Sequence, residues 1–276
     1  MTVPWANHSD IASSGIFEAV HTGMTVSLIM TPRDQLTMCK ADDQASCVVS
    51  GNSERYDYMP VLDSGPAGEC ISGIFHAAQF FDHSVPDGCI RDQLVPLAEE
   101  YLIGADASIL DFITEADTKP CRLALAGARI SGLVSISDLQ KLPVRASLFA
   151  LITGFEITMA EAIRRRYPAD EDWLGLLNNG RQAKIQDETA KSKDSDSFVD
   201  RLLLTQFADK KTIIMEGVDV GLSKPALENE IKRMENLRNK VAHANDYASS
   251  FDEACKVCAT VRDLLALREK IAEAGA

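Results

Sequence analysis

The sequence predicts two regions of different fold class, an α+β region in the first half followed by an all-α helical bundle. Three observations lead to this prediction. A strand–turn–strand pattern occurs twice in the first half, about 60 residues apart. From Pro143 onward, apolar residues recur at the three- and four-residue spacing of amphipathic helices. The length of 276 residues is enough for two modest domains, each with a hydrophobic core.

Composition and charge narrow the classes of protein to consider. Hydrophobic residues make up 46% and charged residues 25%, as in an ordinary globular protein. The net charge of −13 is unevenly distributed, because residues 1–150 hold 9 Lys+Arg against 19 Asp+Glu whereas residues 151–276 hold 19 against 22. A generally basic surface for nucleic acid is excluded, so only local clusters such as Arg164–Arg166 remain. A solvated helix C-terminus is the simpler explanation of that triplet.

The sequence predicts a cytoplasmic protein without membrane association. No apolar run approaches the length that a bilayer requires, and residues 1–10 lack the basic region and apolar core of a signal peptide. The seven cysteines are odd in number and scattered, which is typical of reduced thiols.

No metal-binding pattern is found in the sequence. Cys255 and Cys258 form one Cys-x-x-Cys pair, but a zinc site needs two more ligands at suitable spacing. Their apolar neighbours in the last predicted helix favour core-facing side chains. Four further histidines share no spacing that suits a metal, and they are His8, His21, His76 and His83. We therefore expect any chemistry to be metal-independent.

Two similar units are predicted after a lead-in of residues 1–21, within which Ile16–Val20 forms a short helix. The alternating apolar segment Thr22–Pro32 is predicted to be a strand or a short helix entering a turn. Each unit contains two short strands joined by a turn, and the second unit begins with a helix from Leu94 to Phe112. The strand pairs are Tyr58–Asp63 with Cys70–Phe75, and Arg122–Ala126 with the segment that starts at Ile130.

Two motifs carry a resemblance to a known family. They are Gly132-Leu-Val-Ser-Ile-Ser-Asp-Leu139, in which a strand leads into a helix that opens with Ser-x-x-Asp, and Ile29-Met-Thr-Pro32 before the first unit. Each unit resembles a CBS repeat, and together residues 22–143 resemble the tandem pair, or Bateman module, that binds adenine nucleotides. The segment from Gln35 to Tyr56 fits the first helix of that family poorly.

The CBS resemblance implies a regulatory adenine nucleotide. In that family the hydroxyl residue of the motif contacts phosphate and the aspartate holds the ribose hydroxyls, which here are Ser135 and Asp138. Helix capping alone would also explain Ser137 and Asp138. The first repeat has His76 and Gln79 at the matching positions, so the resemblance implies one competent site.

The second half, residues 144–276, is predicted to be a bundle of four or five helices joined to the first half by a short linker near Leu142–Arg145. A helix with an apolar face ends before Pro168, and a polar segment follows it at Gln182–Ser197. The predicted helices after that segment are a pair within Phe198–Gly217 with a break near Asp209, a long amphipathic helix from about Leu227, and a last helix at Phe251–Ala274.

The long amphipathic helix carries a polar motif near its end. Arg238 and Asn239 are followed by His243, one helical turn after the asparagine. This Arg-Asn-x-x-x-His arrangement, at the end of an apolar-periodic helix, resembles the signature of the HEPN superfamily of all-helical domains. The apolar positions of the helix are Leu227, Ile231, Met234, Leu237 and Val241.

The HEPN resemblance implies a metal-independent endoribonuclease with a composite site at a two-fold homodimer interface. In that family the 2′-hydroxyl of the RNA substrate attacks the adjacent phosphate. His243 would then transfer protons, Arg238 would stabilise transition-state charge, and Asn239 would orient His243 or the phosphate. Tyr247 is a further catalytic candidate. Asn245 stands where some toxin relatives carry a tyrosine, so a toxin-type modification switch is not expected.

Two functional hypotheses from different classes follow. The first is a nucleotide-regulated endoribonuclease that needs no cofactor for catalysis and has an adenine nucleotide as its regulatory ligand. The alternative is a non-catalytic adenine-nucleotide sensor whose helical domain serves dimerisation, partner binding or RNA binding. An inert stabilising bundle beside degenerate CBS repeats is the third interpretation.

Overall fold

The computed structural model describes residues 21–65, 68–85, 87–194 and 200–274. These residues form two compact units: residues 24–141 make one, and residues 142–274 with His21–Gly23 make the other. The chain passes from one unit to the other between Lys141 and Leu142. The predicted helix at Ile16–Val20 and the side chain of His8 lie outside the described residues.

The first unit is built from short strands and helices. The segment Thr22–Pro32 contains a 3₁₀ helix at Val26–Leu28 and then a two-residue strand. The strands and α-helices of this unit, in chain order, are β1 (Thr31–Pro32), β2 (Cys39–Lys40), α1 (Ala45–Gly51), β3 (Tyr58–Gly65), β4 (Gly68–His76), β5 (Val95–Pro96), β6 (Leu102–Gly104), α2 (Ile109–Glu115), β7 (Cys121–Ala126) and β8 (Arg129–Ser135).

The predicted repetition is confirmed, since these elements form two four-stranded sheets of the same plan. The first sheet has the order β2-β3-β4-β5 and the second has the order β1-β8-β7-β6. In each, a short strand runs parallel to the first strand of a hairpin, a helix connects these two strands, and the hairpin is antiparallel. A 3₁₀ helix follows each hairpin, at Ala77–Phe80 and at Ile136–Gln140.

One sequence-based expectation for this unit was wrong. The predicted helix Leu94–Phe112 contains β5, a 3₁₀ helix at Glu99–Tyr101 and β6, and it becomes α-helical only at Ile109. Pairing of these strands with β4 and β7 outweighs the local helical pattern. The segment Gln35–Tyr56, which fits the family's first helix poorly by sequence, nevertheless contains β2 and α1.

Each sheet takes its edge strand from the segment before the other repeat. β1 precedes both repeats but pairs with β8, whereas β5 lies between the repeats and pairs with β4. The registers are equivalent, with Pro32 opposite Gly132 and Pro96 opposite Gly73. Proline has no N–H to donate, so it is suited to an edge strand.

The two sheets also pack against each other. A cluster of buried residues combines Ile71 and Ile74 of the first sheet with Cys121, Leu123 and Leu133 of the second. Because this cluster draws on both hairpins, the two repeats bury these residues against each other.

The second unit is a helical bundle organised around its first helix. The helix α3 (Leu142–Arg166) contacts three later helices of the unit. The remaining α-helices are α4 (Asp170–Leu174), α5 (Asn179–Asp194), α6 (Phe207–Gly217), α7 (Lys224–Ala242) and α8 (Phe251–Ala274), of which α6, α7 and α8 make those contacts.

Two details of the bundle differ from the sequence-based expectations. The helix break predicted near Asp209 lies at Thr205–Gln206, and Asp209 is inside the first turn of α6. Its carboxylate accepts the backbone N–H of Gln206 at 2.8 Å, so it caps the helix rather than ending it. In α8, Cys258 is fully buried, but Cys255 is only half-buried.

The expectation that no apolar segment reaches spanning length was wrong for α3. Among the described residues this one helix is long and apolar enough to cross a bilayer, with a mean hydropathy of 1.5 over its most apolar window. Within the bundle, 56% of that window is buried. A helix at the centre of a globular domain meets the same criterion, because it is apolar on most of its sides.

We expect alanine at Gly132 or Gly73 to destabilise the first unit. A Cβ atom would lie 2.5 Å from the Thr31 carbonyl oxygen at Gly132, and 2.3 Å from the Val95 carbonyl oxygen at Gly73, so the edge strand would have to move. The expected loss is about 1–3 kcal/mol in the free energy of unfolding, measured by urea denaturation. Gly51→Ala is the control, because its Cβ would meet no atom within 4 Å. Equal stability of all three variants would contradict the close approach.

Candidate functional site

The C-terminal end of α7 carries the Arg-Asn-x-x-x-His motif. The five apolar positions predicted to face the core are all buried, which confirms the amphipathic helix. On the other side, Asn239 and His243 are exposed and the side chain of Arg238 is 40% exposed. The polar motif therefore lies on the side of α7 that remains accessible within this unit.

Arg238 is held by a carboxylate from a neighbouring helix. Its Nε donates a hydrogen bond to Glu156 Oε1 of α3 at 2.9 Å, and the Glu156 side chain is 22% exposed. This pair could not be predicted from a local pattern, because 82 residues separate its members. The guanidinium that the resemblance assigns to transition-state charge is thus already part of an ion pair.

The helix ends at the motif itself. Its last residue is Ala242, and the backbone N–H of His243 donates to the Asn239 carbonyl at 3.1 Å. Ala244 then adopts a left-handed conformation with φ of 55°, and Asn245 N–H donates to the Lys240 carbonyl at 3.0 Å. This is a Schellman-type termination, so residues beyond His243 do not continue its helical face.

Arg145 of α3 binds this helix end and was not predicted from the sequence. Its guanidinium donates to the carbonyl oxygens of Lys240, Val241 and Asn245, at 3.2, 3.1 and 2.9 Å. These groups include carbonyls that a helix C-terminus leaves without an intrahelical partner. Arg145 therefore fixes the position of the segment that carries His243. A basic residue near a domain linker gives no sequence signal for such a role.

Tyr247 is placed differently from the other motif residues. It is 3% exposed, and the Arg145 guanidinium lies 4.9 Å from the centre of its ring. Burial raises its pKa to about 12, so the phenol keeps its proton at neutral pH. The geometry supports Tyr247 as an anchor beneath Arg145, while its catalytic role stays a prediction.

A buried lysine lies close to the Arg238–Glu156 pair. Lys210 of α6 is 6% exposed, and its Nζ donates to the Thr205 carbonyl at 2.9 Å. Burial lowers its pKa, and the charge of Glu156 is the strongest of the opposing effects. The Lys210 ammonium therefore interacts with the same carboxylate as Arg238. Lys210 stands three residues after Phe207 and three before Ile213, both of which are buried. Helical periodicity could therefore have predicted that Lys210 faces the core.

In the first unit, Ser135 and Asp138 meet as the two halves of a capping box. The Ser135 N–H donates to Asp138 Oδ2 at 2.6 Å, and the Ser135 hydroxyl is 3.4 Å from the same oxygen. Lys141 Nζ lies 2.7 Å from Asp138 Oδ1. The residue that caps the 3₁₀ helix is therefore Ser135, at the end of β8, rather than Ser137.

Asp138 is a largely occupied acceptor. It is 7% exposed, and burial raises its pKa although the Lys141 ammonium opposes that effect. A carboxylate offers about four acceptor positions, and the contacts with Ser135 and Lys141 occupy most of them. A ribose hydroxyl would have to use what remains or displace Lys141. The capping role alone accounts for the observed geometry.

The first repeat has different chemistry at the equivalent positions. His76 stacks on Tyr58 with ring centres 4.5 Å apart, and Gln79 is exposed. Burial lowers the pKa of His76, and the charge of Asp57 opposes this. No carboxylate stands at position 79 to play the part of Asp138, which agrees with the expected asymmetry of the repeats.

Within the described part of the chain, no three His, Cys, Asp or Glu side chains are close enough together to bind a metal ion. His21, His76 and His83 lie within that part.

Comparison with known proteins finds similar chains among the solved structures. No family model matches the chain, and no curated protein matches it. Among solved structures, the CBS domain of a bacterial CNNM/CorC-family Mg²⁺ transporter in complex with ATP is 16% identical, with a TM-score of 0.37 over 46% of this chain and 92% of the other. CBSX2 in complex with AMP is 17% identical, with a TM-score of 0.33 over 45% of this chain and 96% of the other.

A further match is a hemolysin-like protein containing a CBS domain from Oenococcus oeni PSU. It is 15% identical, with a TM-score of 0.34 over 45% of this chain and 94% of the other. These structures resemble the N-terminal half of the chain. The strand order and registers of residues 24–141 themselves support the predicted tandem repeat.

We expect His76→Gln to reduce the acid sensitivity of the first unit. Because the folded-state pKa of His76 lies below its ordinary value of 6.5, its neutral form contributes stability that is lost as the pH falls from above 6.5 through the folded-state pKa. The wild-type Tm should therefore fall more than that of His76→Gln between about pH 7.5 and pH 5. The control is His83→Gln, which removes an exposed imidazole. Parallel pH profiles for all three proteins would contradict the prediction.

We expect Arg145→Ala to loosen the end of α7. The change removes three charge-assisted hydrogen bonds and the contact with Tyr247. The expected loss is about 2–3 kcal/mol in the free energy of unfolding, with faster amide exchange at Asn245. Lys232→Ala is the control, since it removes an exposed cation of α7 itself. An unchanged rate of amide exchange at Asn245 in Arg145→Ala would show that the hydrogen bonds of Arg145 do not stabilise the end of α7.

Proposed function

We propose that this protein is a nucleotide-regulated, metal-independent endoribonuclease whose RNA-binding surface is the C-terminal end of α7. One observation carries the proposal. Asn239 and His243 are exposed and Arg238 is partly exposed on one end of a helix whose apolar side is entirely buried, so the three side chains are accessible together.

The chemistry of these groups suits phosphodiester cleavage by the 2′-hydroxyl of RNA. A neutral His243 takes the 2′-hydroxyl proton as the oxygen attacks phosphorus, and the bond from phosphorus to the 5′ oxygen then breaks. A protonated histidine supplies the proton that the leaving oxygen needs. Each chain provides one such histidine, so base and acid together require two copies, and we propose a homodimer.

Arg238 and Asn239 supply the remaining parts of the proposed site. A guanidinium stabilises the negative charge that develops on the phosphate oxygens, and an amide orients either the imidazole or the phosphate. All atoms and protons of the reaction are accounted for by RNA and these side chains.

We propose the first unit as the regulatory part, with an adenine nucleotide as its ligand. Its support is the tandem repeat with the Ser135–Asp138 motif at the end of the second hairpin. Two of the proteins that it resembles have ATP or AMP bound in their structures. In this chain the phosphate would contact Ser135 and the ribose would contact Asp138.

The second candidate function is a non-catalytic nucleotide sensor whose helical domain binds a partner. Three observations favour it. Arg238 is engaged by Glu156, and the side chain of Tyr247 is buried rather than displayed beside His243. The net charge of −13 also opposes strong attraction to RNA.

We expect the purified protein to cleave mixed single-stranded RNA in the presence of EDTA, and adenine nucleotide to change the rate. His243→Ala and Arg238→Ala should each lower the rate by about 100-fold or more, because a proton-transfer group or a charge-stabilising group is lost. Lys232→Ala, an exposed cation on the same helix, is the matched control. If wild type and His243→Ala are equally inactive at every nucleotide concentration, the sensor function replaces the nuclease.

We expect AMP to bind the first unit, and Asp138→Asn to weaken that binding by about tenfold, the effect of losing one charge-assisted hydrogen bond. Calorimetric titration of the full chain measures both. Gln79→Ala changes the equivalent exposed position of the first repeat and should leave the affinity unchanged. Equal weakening by both substitutions would remove the assignment of the site to the second repeat.

A further inference from the structure

We propose that Glu156 determines which anions Arg238 accepts, by competing with the incoming phosphate group for its guanidinium. This inference rests on the proposed function in one respect, because it takes Arg238 as a phosphate-binding residue. It assigns a specificity-determining role to a side chain of α3 that belongs to no sequence motif.

The geometry places the competitor in direct contact with the proposed phosphate-binding group. Arg238 Nε and Glu156 Oε1 are 2.9 Å apart, a normal charge-assisted hydrogen bond. Both side chains retain access to solvent, at 40% for Arg238 and 22% for Glu156. An anion can therefore approach the guanidinium while the carboxylate is in place, but it must overcome the repulsion of that carboxylate.

Lys210 makes the exchange feasible. A carboxylate that loses its only partner in a partly buried position is strongly destabilised. Here the charge of Glu156 also acts on Lys210 of α6, since it is the strongest of the effects that oppose the lowering of the Lys210 pKa by burial. When phosphate binds Arg238, the charge of the buried Lys210 still acts on Glu156.

The arrangement predicts selection by charge. A monoanion such as chloride gains too little from the guanidinium to displace a carboxylate already bonded to it. A phosphate group carries more charge and offers several oxygens in the geometry that a guanidinium binds well. Glu156 would thus prevent small anions of the solution from binding Arg238 while allowing phosphate groups to bind it.

A purely structural explanation of the pair makes the opposite prediction. If Glu156 only holds α7 against α3, its removal would disorder Arg238 and weaken or leave unchanged the affinity for phosphate. If Glu156 is a competitor, its removal would tighten phosphate binding. The sign of the change in affinity therefore decides between the two.

The test is an NMR titration of the full-length chain with inorganic phosphate, followed at the Arg238 Nε–H resonance. Glu156→Gln should lower the apparent Kd for phosphate by about threefold to tenfold relative to wild type, the effect expected for a partly exposed ion pair. Asp263→Asn is the matched control, because it removes a carboxylate that pairs with Arg233 of the same helix at 2.9 Å. It changes the net charge equally and should leave the Kd within about twofold of wild type. An equal or weaker affinity in Glu156→Gln than in Asp263→Asn would overturn the proposal.

A second measurement uses the wild-type chain and so does not depend on the folding of a variant. The side-chain carboxyl carbon resonance of Glu156 should shift on addition of phosphate and not on addition of chloride at equal ionic strength. If the Glu156 resonance does not shift with phosphate while the Arg238 resonance does, the proposal is also overturned. Cleavage of RNA is measured separately. Tighter phosphate binding in Glu156→Gln without RNA cleavage by the wild type would support the competing role of Glu156 and contradict the nuclease function. RNA cleavage by the wild type without tighter phosphate binding in Glu156→Gln would support the nuclease function and contradict the competing role.

Discussion

The burial of one side of α7 against the bundle is the constraint on which the arrangement of the helical unit depends. Its five apolar residues pack into a core whose centre is α3, a helix that also contacts α6 and α8. Hydrophobic burial of this size fixes the rotation of a helix about its own axis. The polar residues of the motif therefore lie on the side of α7 that does not pack into the core. This rotation places Arg238 beside Glu156.

Polar contacts from α3 refine what hydrophobic packing begins. Arg145 binds three carbonyl oxygens at the end of α7, and Glu156 binds Arg238 about three turns further along α3. The first contact determines where the segment that bears His243 leaves the helix, and the second determines the charge that an approaching anion meets. One helix thus governs both the position and the electrostatics of the proposed site, which is a reason to regard α3 as functionally part of it.

The first unit follows from a different constraint, the exchange of edge strands between two equivalent sheets. β1 places a proline opposite a glycine in the hairpin of the second repeat, and β5 places a proline opposite a glycine in the hairpin of the first. Only glycine leaves room for the edge strand to approach this closely. The equivalence extends to the 3₁₀ helix after each hairpin but not to its chemistry. Ser135 and Asp138 form a satisfied capping box, whereas His76 stacks on Tyr58. A ligand would therefore encounter two repeats that share a backbone plan and differ in side chains.

The sequence by itself determined the class of each half, the two hairpins and the amphipathic face of α7, because apolar periodicity and turn residues are local properties that neighbouring residues impose on one another. It also identified the exposed positions Asn239 and His243. Tertiary structure alone decided that Leu94–Phe112 contains two short strands, that Glu156 and Arg145 hold the motif, and that Tyr247 is buried. Each of those outcomes depends on partners tens of residues away, and a local pattern contains no information about which distant side chain will supply a charge, a hydrogen bond or a neighbouring strand.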